Sequence, residues 1–587
     1  MPKNKLPTWD LSEIFKNYKD PKIDNEQNKL NKNVNTFVKK WKGKIKNLDG
    51  NDVSNCLKEY EKINEKLGFM STHSSLSFAS NMEDEEVSRY NSKISDWIAQ
   101  IFSKIVFVSL EIASVSDKVF NNWAKNKNSE KWLPLIKSLR KRRKYQLSPL
   151  VEEILIEKYA TGRSAWTRLF DETSAGLRFP YKKQLLTEAE ILSKLSDKSS
   201  VNRKIAGKSL SKVLSSNKKV FGMILNVISR DKYIEDYKRG FKSSLSSRNL
   251  DNDVEDEVVN SLVNAVDEQM PNLTHRYYKW KAKQFKKKKL DWWDRNAPFP
   301  QNSEDNIKWD HARNIILDSF YEFNPKVSEI ADKFFKNNWI DAEVRTGKAS
   351  GAFAHPSVPS HHPYILLNYQ GKVRDVMTLA HELGHGVHQV LAGKQGLLLS
   401  ETPLTLAETA SVFGEMLVFR NLLNESTKKR RKEMLANKIE DMLNTVARQI
   451  GFHQFEYKFH TARQNGELTP DEISEIWMDT QKHAVGPYVN LDENYRSLWA
   501  YIPHFVHTPF YVYAYAFGDC LVNALWAEYQ KSDKKEFSKL YLALLASGGS
   551  KDHKELLKPF GLSIQKKNFW HNGLRSITSM IDELETL

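Results

Sequence analysis

The chain has 587 residues and a formal net charge of +16, from 89 basic and 73 acidic residues. That length exceeds what one hydrophobic core serves, so two or more lobes are expected. With 40% hydrophobic residues, 29 phenylalanines and 15 tryptophans the composition excludes a disordered chain, and two cysteines exclude a disulfide framework and point to a reducing compartment.

In chain order, the first 15 residues, MPKNKLPTWDLSEIF, are polar and lack an apolar core of signal-peptide length. NEQNKLNKNVNTFVKKWKGKI (25–45) places Leu30, Val34, Phe37, Val38 and Trp41 at helical spacing, and residues 87–114 read as a second long helix. Its most apolar part, 101–115, is broken by Lys104 and Glu111, so no segment is expected to span a membrane and a cytoplasmic location follows. Further amphipathic helices run from about 186 to 287, and the proline-broken DRNAPFPQNSED (294–305) reads as a loop. Residues 340–370 are rich in Gly, Ser and Pro, and Tyr364–Tyr369 is an apolar run of strand length, so a small sheet is expected inside a mainly helical protein. The organisation expected is an N-terminal helical lobe over 1–195 and a catalytic domain over 196–587. Basic runs at 140–144, 286–289 and 428–432 lie far apart with no nucleic-acid motif beside them, and they read as solvated helix faces.

The segment TLAHELGHGVH (378–388) lies in a helix expected from Lys372 to Leu391, ending near Gly393. Val376, Leu379, Ala380, Leu383, Val387 and Val390 form its apolar side. At about 100° per residue, His381 and His385 stand about 40° apart and one turn along, so both imidazoles reach one point. Glu382 flanks that point. Two neutral imidazoles that bind zinc and an adjacent carboxylate that holds the attacking water are the logic of HExxH. Chance predicts roughly 0.03 such matches in a chain of this composition, so the metal reading is preferred to a helix with satisfied core histidines. His388 points the same way but lies about 10 Å along the axis from His381, which suits packing or a supporting hydrogen bond.

A catalytic zinc takes three protein ligands and leaves one position open. The extended HExxHxxGxxH pattern fails because residue 391 is Leu, so the third ligand is expected to be a carboxylate on the following helix, 400–423. Glu401 precedes Pro403 and reads as loop, whereas Glu408 and Glu415 are seven apart on nearly one face. Glu408, in the small-residue setting AETAS, is the preferred ligand, with Glu415 supporting it. The competing role for Glu408 is a capping box with Thr405.

The chain resembles the thimet oligopeptidase family of zinc metallopeptidases, most closely its oligopeptidase F branch. The resemblance rests on PYILLNYQGKVRDVMTLAHELGHGVH (363–388), LAETASVFGEM (406–416) and HFVHTPFYVYAYAFG (504–518). Weaker echoes are PTWDLSEIF (7–15), 237–249 and 277–300. It implies one zinc per chain on His381, His385 and Glu408, with Glu382 as general base. It also implies two helical lobes around a deep channel that admits short unstructured peptides.

The developing oxyanion needs a donor. The segment 501–518 offers His504, His507, Tyr511, Tyr513 and Tyr515, and a helix after Pro509 would put Tyr511 and Tyr515 on one face with Tyr513 turned elsewhere. The resemblance implies that a histidine and tyrosines here contact the substrate carbonyl, so His504, Tyr511, Tyr513 and Tyr515 are the candidates. The alternative is an aromatic stripe in a core. The strand at Tyr364–Tyr369 is expected to be an edge that pairs with a peptide, and the histidines His355, His361 and His362 read as solvated loop residues. An endo-oligopeptidase is the preferred reading. The others are a zinc carboxypeptidase, which needs a cation such as Arg463 or Arg496 for the terminal carboxylate, and a basic nucleic-acid-binding protein with a structural zinc.

Overall fold

The apolar residues Leu30, Val34, Phe37 and Trp41 recur at three- and four-residue spacing and form the buried face of α1, Lys22–Trp41. The computed structural model describes residues 6–159, 161–299, 307–402 and 404–587. The chain divides into two units, each assembled from separated stretches. The first is built from Met1–Arg143, Glu304–Glu425 and Glu528–Leu562, and the second from Lys144–Ser303, Ser426–Ala527 and Ser563–Leu587.

In the first unit α1 ends at Trp41, short of the expected residue 45, because the backbone leaves the helix at Lys42 and Gly43 takes a positive φ of 79°. α2 (Gly50–Ser80) starts at Asp49, whose carboxylate accepts the Asn51 and Asp52 amides, both at 2.8 Å. The helix expected over 87–114 is two helices, α3 (Glu85–Ile105) and α4 (Phe107–Ser114), interrupted at Val106. Taken together, Glu85–Ser114 meets the length and composition of a membrane-crossing helix, as the core helix of a folded protein also can. Its Ile101, Ile105, Val108 and Ile112 are nevertheless buried in a core shared with α1 and α2.

The remaining stretches of this unit carry α5 (Trp309–Phe323) and α6 (Pro325–Lys336), joined at Asn324. There a side-chain oxygen caps the Lys326 amide at 2.9 Å and Pro325 opens the new helix, where its missing N–H costs nothing. Next come three short strands: β1 (Ile340–Asp341), β2 (Phe353–His355) and β3 (Tyr364–Leu366). Then follow α7 (Val373–Ala392), α8 (Thr409–Asn424) and α9 (Lys534–Leu545). α7 packs along α8, α6 supports α7, and α5 supports α8.

The sheet order is β1-β3-β2, with β1 parallel and β2 antiparallel to β3. β3 is therefore the central strand, not the expected edge, and only Tyr364–Leu366 of the Tyr364–Tyr369 run is strand. The physical reason is visible in burial: all three of its residues are fully covered, as a strand with neighbours on both sides requires. β1 and β2 are the two edge strands.

In the second unit the longest element is a 40-residue helix, Ser200–Arg239, capped by Ser199 and closed by Gly240 in the left-handed region at φ 80°. Its Arg203 is buried and donates to Asp294 at 2.7 and 2.9 Å. The loop expected at 294–305 is seen to residue 299, and its remainder lies outside the described residues. The basic runs feed internal ion pairs: Arg140 with Asp117 at 2.5 Å, Lys287 with Asp291 at 3.0 Å and Asp294 at 2.5 Å, and Arg431 with Glu583 at 2.6 Å.

Candidate metal centre

α7 starts where Asp375 accepts the backbone amides of Gln370 at 2.8 Å and Lys372 at 3.0 Å. Its inward face buries Val376, Leu379, Ala380, Leu383 and Val387. Gly393, the expected terminator, keeps helical φ, and the chain turns instead at Gly396, whose φ is 85°.

His381 and His385 stand one turn apart, with ring centroids 5.0 Å from each other. Glu408, the residue that precedes α8, reaches them. Its Oε2 lies 3.4 Å from Nε2 of His381 and 3.4 Å from Nε2 of His385. Two ligands about 2.0–2.2 Å from one tetrahedral ion are about 3.3–3.6 Å apart. The two nitrogens and the carboxylate oxygen therefore fit a single divalent cation, and their ligand atoms lie within 4.8 Å of one another.

Close helix packing makes this reach possible. A Cβ on Gly384 would lie 2.5 Å from the Ala410 carbonyl oxygen and 2.6 Å from Ser411 Cα, so α7 and α8 touch backbone to backbone at that turn. Glu408 occupies the break between the short turn Leu404–Ala407 and α8, whereas the sequence suggested one unbroken helix from about 400. Pro403 and the side chain of Thr405, invoked for the start and cap of that helix, lie outside the described residues. Ser411 Oγ donates to Glu408 Oε2 at 2.6 Å and holds the carboxylate rotamer.

Glu415 Oε2 lies 3.3 Å from Nδ1 of His381, on the far side of that ring from Glu408. Such a partner fixes the tautomer that presents Nε2 as ligand. Burial pulls the His381 pKa down, but the Glu408 and Glu415 carboxylates outweigh it and push it up to about 10. Burial acts upward on Glu408, and the two imidazoles outweigh it and hold the carboxyl well below the usual range. The anionic carboxylates thus attract positive charge to this point, which is the role a divalent ion takes.

Glu382 is 7% exposed, and burial lifts its pKa above the ordinary carboxylate value while His381 and His385 pull it down. The Ala354 N–H of β2 is a further, smaller influence that lowers it. The Ala354 carbonyl in turn accepts from Gln389 Nε2 at 3.2 Å. Ala354 thus faces α7 from an edge strand of the sheet. Sequence reasoning missed Ala354, Gln389 and Ser411, because backbone groups and small polar side chains carry no periodic signal.

His388 is buried next to Thr402, with Oγ1 3.2 Å from Nε2, and burial pushes its pKa down to about 4. It is a packed core histidine. Glu401 is exposed and stands apart from the two histidines of α7. His355, His361 and His362 are half-buried, not solvated. Burial pushes His355 and His361 down to about 4 and lowers His362.

The second unit contains the other candidates. His504 opens a single turn, His504–His507, and the helix expected after Pro509 begins at Tyr513. His504 Nε2 lies 3.1 Å from the Tyr515 hydroxyl, and its ring is near-parallel to Tyr511 at 6.1 Å. Tyr511 and Tyr515 meet edge to face at 5.2 Å. Tyr513 stands apart from this trio: it is fully buried, and Asn252 Nδ2 donates to its hydroxyl at 2.8 Å. Its setting is a satisfied core. His507 pairs with Asp171 at 2.7 Å. Arg496 pairs with Glu475 at 2.6 Å, and Arg463 donates to the Asn226 carbonyl at 3.2 Å.

The family model described as Peptidase family M3 matches residues 237–576, and one described as Oligopeptidase F matches residues 111–179. The chain is 25% identical over 591 residues to the oligopeptidase PepF of Bacillus subtilis, covering 99% of this chain and 87% of that protein. It is 26% identical over 594 residues to an oligoendopeptidase F homolog of Borreliella burgdorferi, covering 100% and 98%. The fold matches a putative peptidase from Chlamydophila abortus with a TM-score of 0.84 at 22% identity over 99% of this chain and 98% of that one. It also matches oligoendopeptidase-F from Enterococcus faecium with a TM-score of 0.73 at 19% identity, covering 96% and 98%.

Proposed function

The chain belongs to peptidase family M3, whose model spans more than half of it, and from that premise we propose that this metallo-oligopeptidase is a zinc endopeptidase cutting internal bonds of short unstructured peptides. The observation that carries the reading is the approach of His381 Nε2, His385 Nε2 and Glu408 Oε2 at ligand spacing, with Glu382 one residue along. Two imidazoles and a carboxylate suit Zn2+, with no thiolate involved: Cys56 and Cys520 are buried free thiols elsewhere. A cytoplasmic location keeps such thiols reduced.

An ion held by these three residues would supply Lewis acidity, acidifying a water and polarising the scissile carbonyl. The protein's own groups do the remaining work. Glu382 takes the proton of the attacking water on its carboxylate and delivers it to the leaving amine. Burial, by raising the affinity of Glu382 for a proton, makes it a stronger base than an ordinary carboxylate. Glu415 holds the His381 ring through Nδ1 and Ser411 holds the Glu408 carboxylate. The resemblance implies donors to the substrate carbonyl among His504, Tyr511, Tyr513 and Tyr515, and the burial of Tyr513 argues against that role for it.

An extended peptide pairing with the edge strand β2 would take the place of the Gln389 side chain on the Ala354 carbonyl, giving affinity through backbone hydrogen bonds with little side-chain selectivity. The test is a peptide blocked at both termini. Internal cleavage that stops on chelation supports the endopeptidase. Cleavage only of peptides with a free C-terminal carboxylate overturns it in favour of an exopeptidase.

A further inference from the structure

We propose that Glu13, His361 and His362 form a second divalent-metal site, apart from the HExxH group, that binds a transition ion such as Zn2+ and ties the N-terminal segment to the three-stranded sheet. All three residues belong to the first unit. One carboxylate oxygen and one nitrogen of each ring lie within 4.8 Å of one another. His362 Nε2 is 3.3 Å from Glu13 Oε2, again the spacing of two ligands on one tetrahedral ion.

The local sequence builds this site. Adjacent residues of an extended chain point to opposite faces. Here a turn closed by the His361 N–H on the Val358 carbonyl, at 2.9 Å, brings both rings to one side, 4.0 Å apart at 34°. Pro363 then leads directly into β3. Each ring is held in place by another contact. The His362 ring stacks on Trp339 at 3.9 Å and 8°, and its Nδ1 lies 3.1 Å from the Pro363 carbonyl oxygen. His361 Nε2 lies 2.9 Å from the hydroxyl of the buried Tyr364. Supporting bonds of this kind orient metal-binding imidazoles.

The Pro363 carbonyl and the Glu13 carboxylate both only accept, and a neutral His362 ring has one hydrogen for the two of them. With that hydrogen on Nδ1 toward Pro363, a cation between Nε2 and Glu13 Oε2 satisfies the other pair. Two nitrogens and one oxygen favour Zn2+, Co2+ or Ni2+ over Mg2+ or Ca2+. Glu13 is half-exposed, so an ion has access and water can complete its coordination. The neighbours of Glu13, Ile14 and Phe15, are buried in a core with Tyr364 and Leu366, so an ion here would pin that segment to β3.

The test measures bound metal in the full-length protein after equilibrium dialysis against buffered Zn2+. Two equivalents per chain are expected for the wild type and one for Glu13→Gln and His362→Ala. Both variants should keep the HExxH equivalent and the peptidase activity. His381→Ala should lose the other equivalent and keep this one. Saturating Zn2+ should raise the melting temperature of His381→Ala but not of His381→Ala/Glu13→Gln. Glu13→Gln preserves the ring stack, so it decides the matter if His362→Ala does not fold. A single equivalent in the wild type, or a second equivalent that survives in Glu13→Gln, overturns the proposal.

Discussion

Replacing Gly384 by alanine tests how the candidate centre is built. The added Cβ would sit 2.5 Å from Ala410 O, 2.6 Å from Ser411 Cα and 2.8 Å from Ala410 C, all of them backbone. Ordinary carbon contacts need about 3.5–4.0 Å, so α7 and α8 must part by about 1 Å. Alanine gains about 1 kcal/mol in helix propensity over glycine. Overpacking costs about 1–3 kcal/mol or more, and here neither wall is a side chain that can swing away. A net loss of up to roughly 2 kcal/mol in stability is expected. The larger effect falls on the metal, because ligand distances tolerate only about 0.2 Å and Glu408 rides on α8. Gly384→Ala should weaken zinc binding at least about tenfold, as measured by competition with a chromophoric chelator. Gly386→Ala is the comparison: its Cβ would meet the Phe334 ring at 2.5 Å, on the side of α6, so it should cost stability while leaving zinc affinity near wild type. Wild-type zinc affinity and wild-type stability in Gly384→Ala would refute the account of close backbone packing.

The two acidic candidates separate by metal analysis: Glu408→Ala should lose zinc, whereas Glu415→Ala should retain it with affinity about 10–100-fold weaker, and greater loss from Glu415→Ala would reverse the ligand choice. The tyrosines separate by kinetics: Tyr515→Phe should lower kcat by about 100-fold with little change in KM if its hydroxyl serves the oxyanion. Tyr513→Phe should instead leave kcat alone and cost about 1–3 kcal/mol of stability, because the buried Asn252 amide loses its acceptor. Glu456 is fully buried in the second unit, and burial pushes its pKa up to about 8, outweighing the Phe510 N–H that donates to it at 2.7 Å. Folding then keeps a proton that the unfolded chain releases near pH 4.5, so stability falls as pH rises from about 4.5 to 8. At about 1.4 kcal/mol per pH unit that interval bounds the loss at roughly 5 kcal/mol, and Glu456→Gln should flatten the pH dependence measured by denaturant unfolding. An unchanged slope in the variant would mean that Glu456 titrates as an exposed carboxylate does.

Much of the site could be read from residue spacing because helix geometry is local. His381 and His385 converge through a rise and rotation that every α-helix shares, and Glu408 and Glu415 differ by two turns of one face. What was not legible depends on neighbours from elsewhere in the chain. An apolar strand reads the same at an edge or in the middle of a sheet, and only the pairing of Ile365 with both Ile340 and Ala354 makes β3 central. The break at Val106 follows no proline or glycine, and the helical φ and ψ of that residue give no sign of it in the sequence. Tyr513 and Tyr515 are the same residue type two positions apart, and only burial and partners from elsewhere in the chain, Asn252 for one and His504 for the other, distinguish them. Ser411 and the Ala354 carbonyl act through single hydrogen bonds that no pattern announces.

The most direct measurement is the zinc content of Glu382→Gln alongside its turnover of a doubly blocked peptide. The account predicts one full equivalent at the centre formed by His381, His385 and Glu408, with kcat/KM reduced by about 100- to 10,000-fold. Turnover near wild type would show that Glu382 is not the base, and loss of the ion with the change would show that Glu382 helps to hold it.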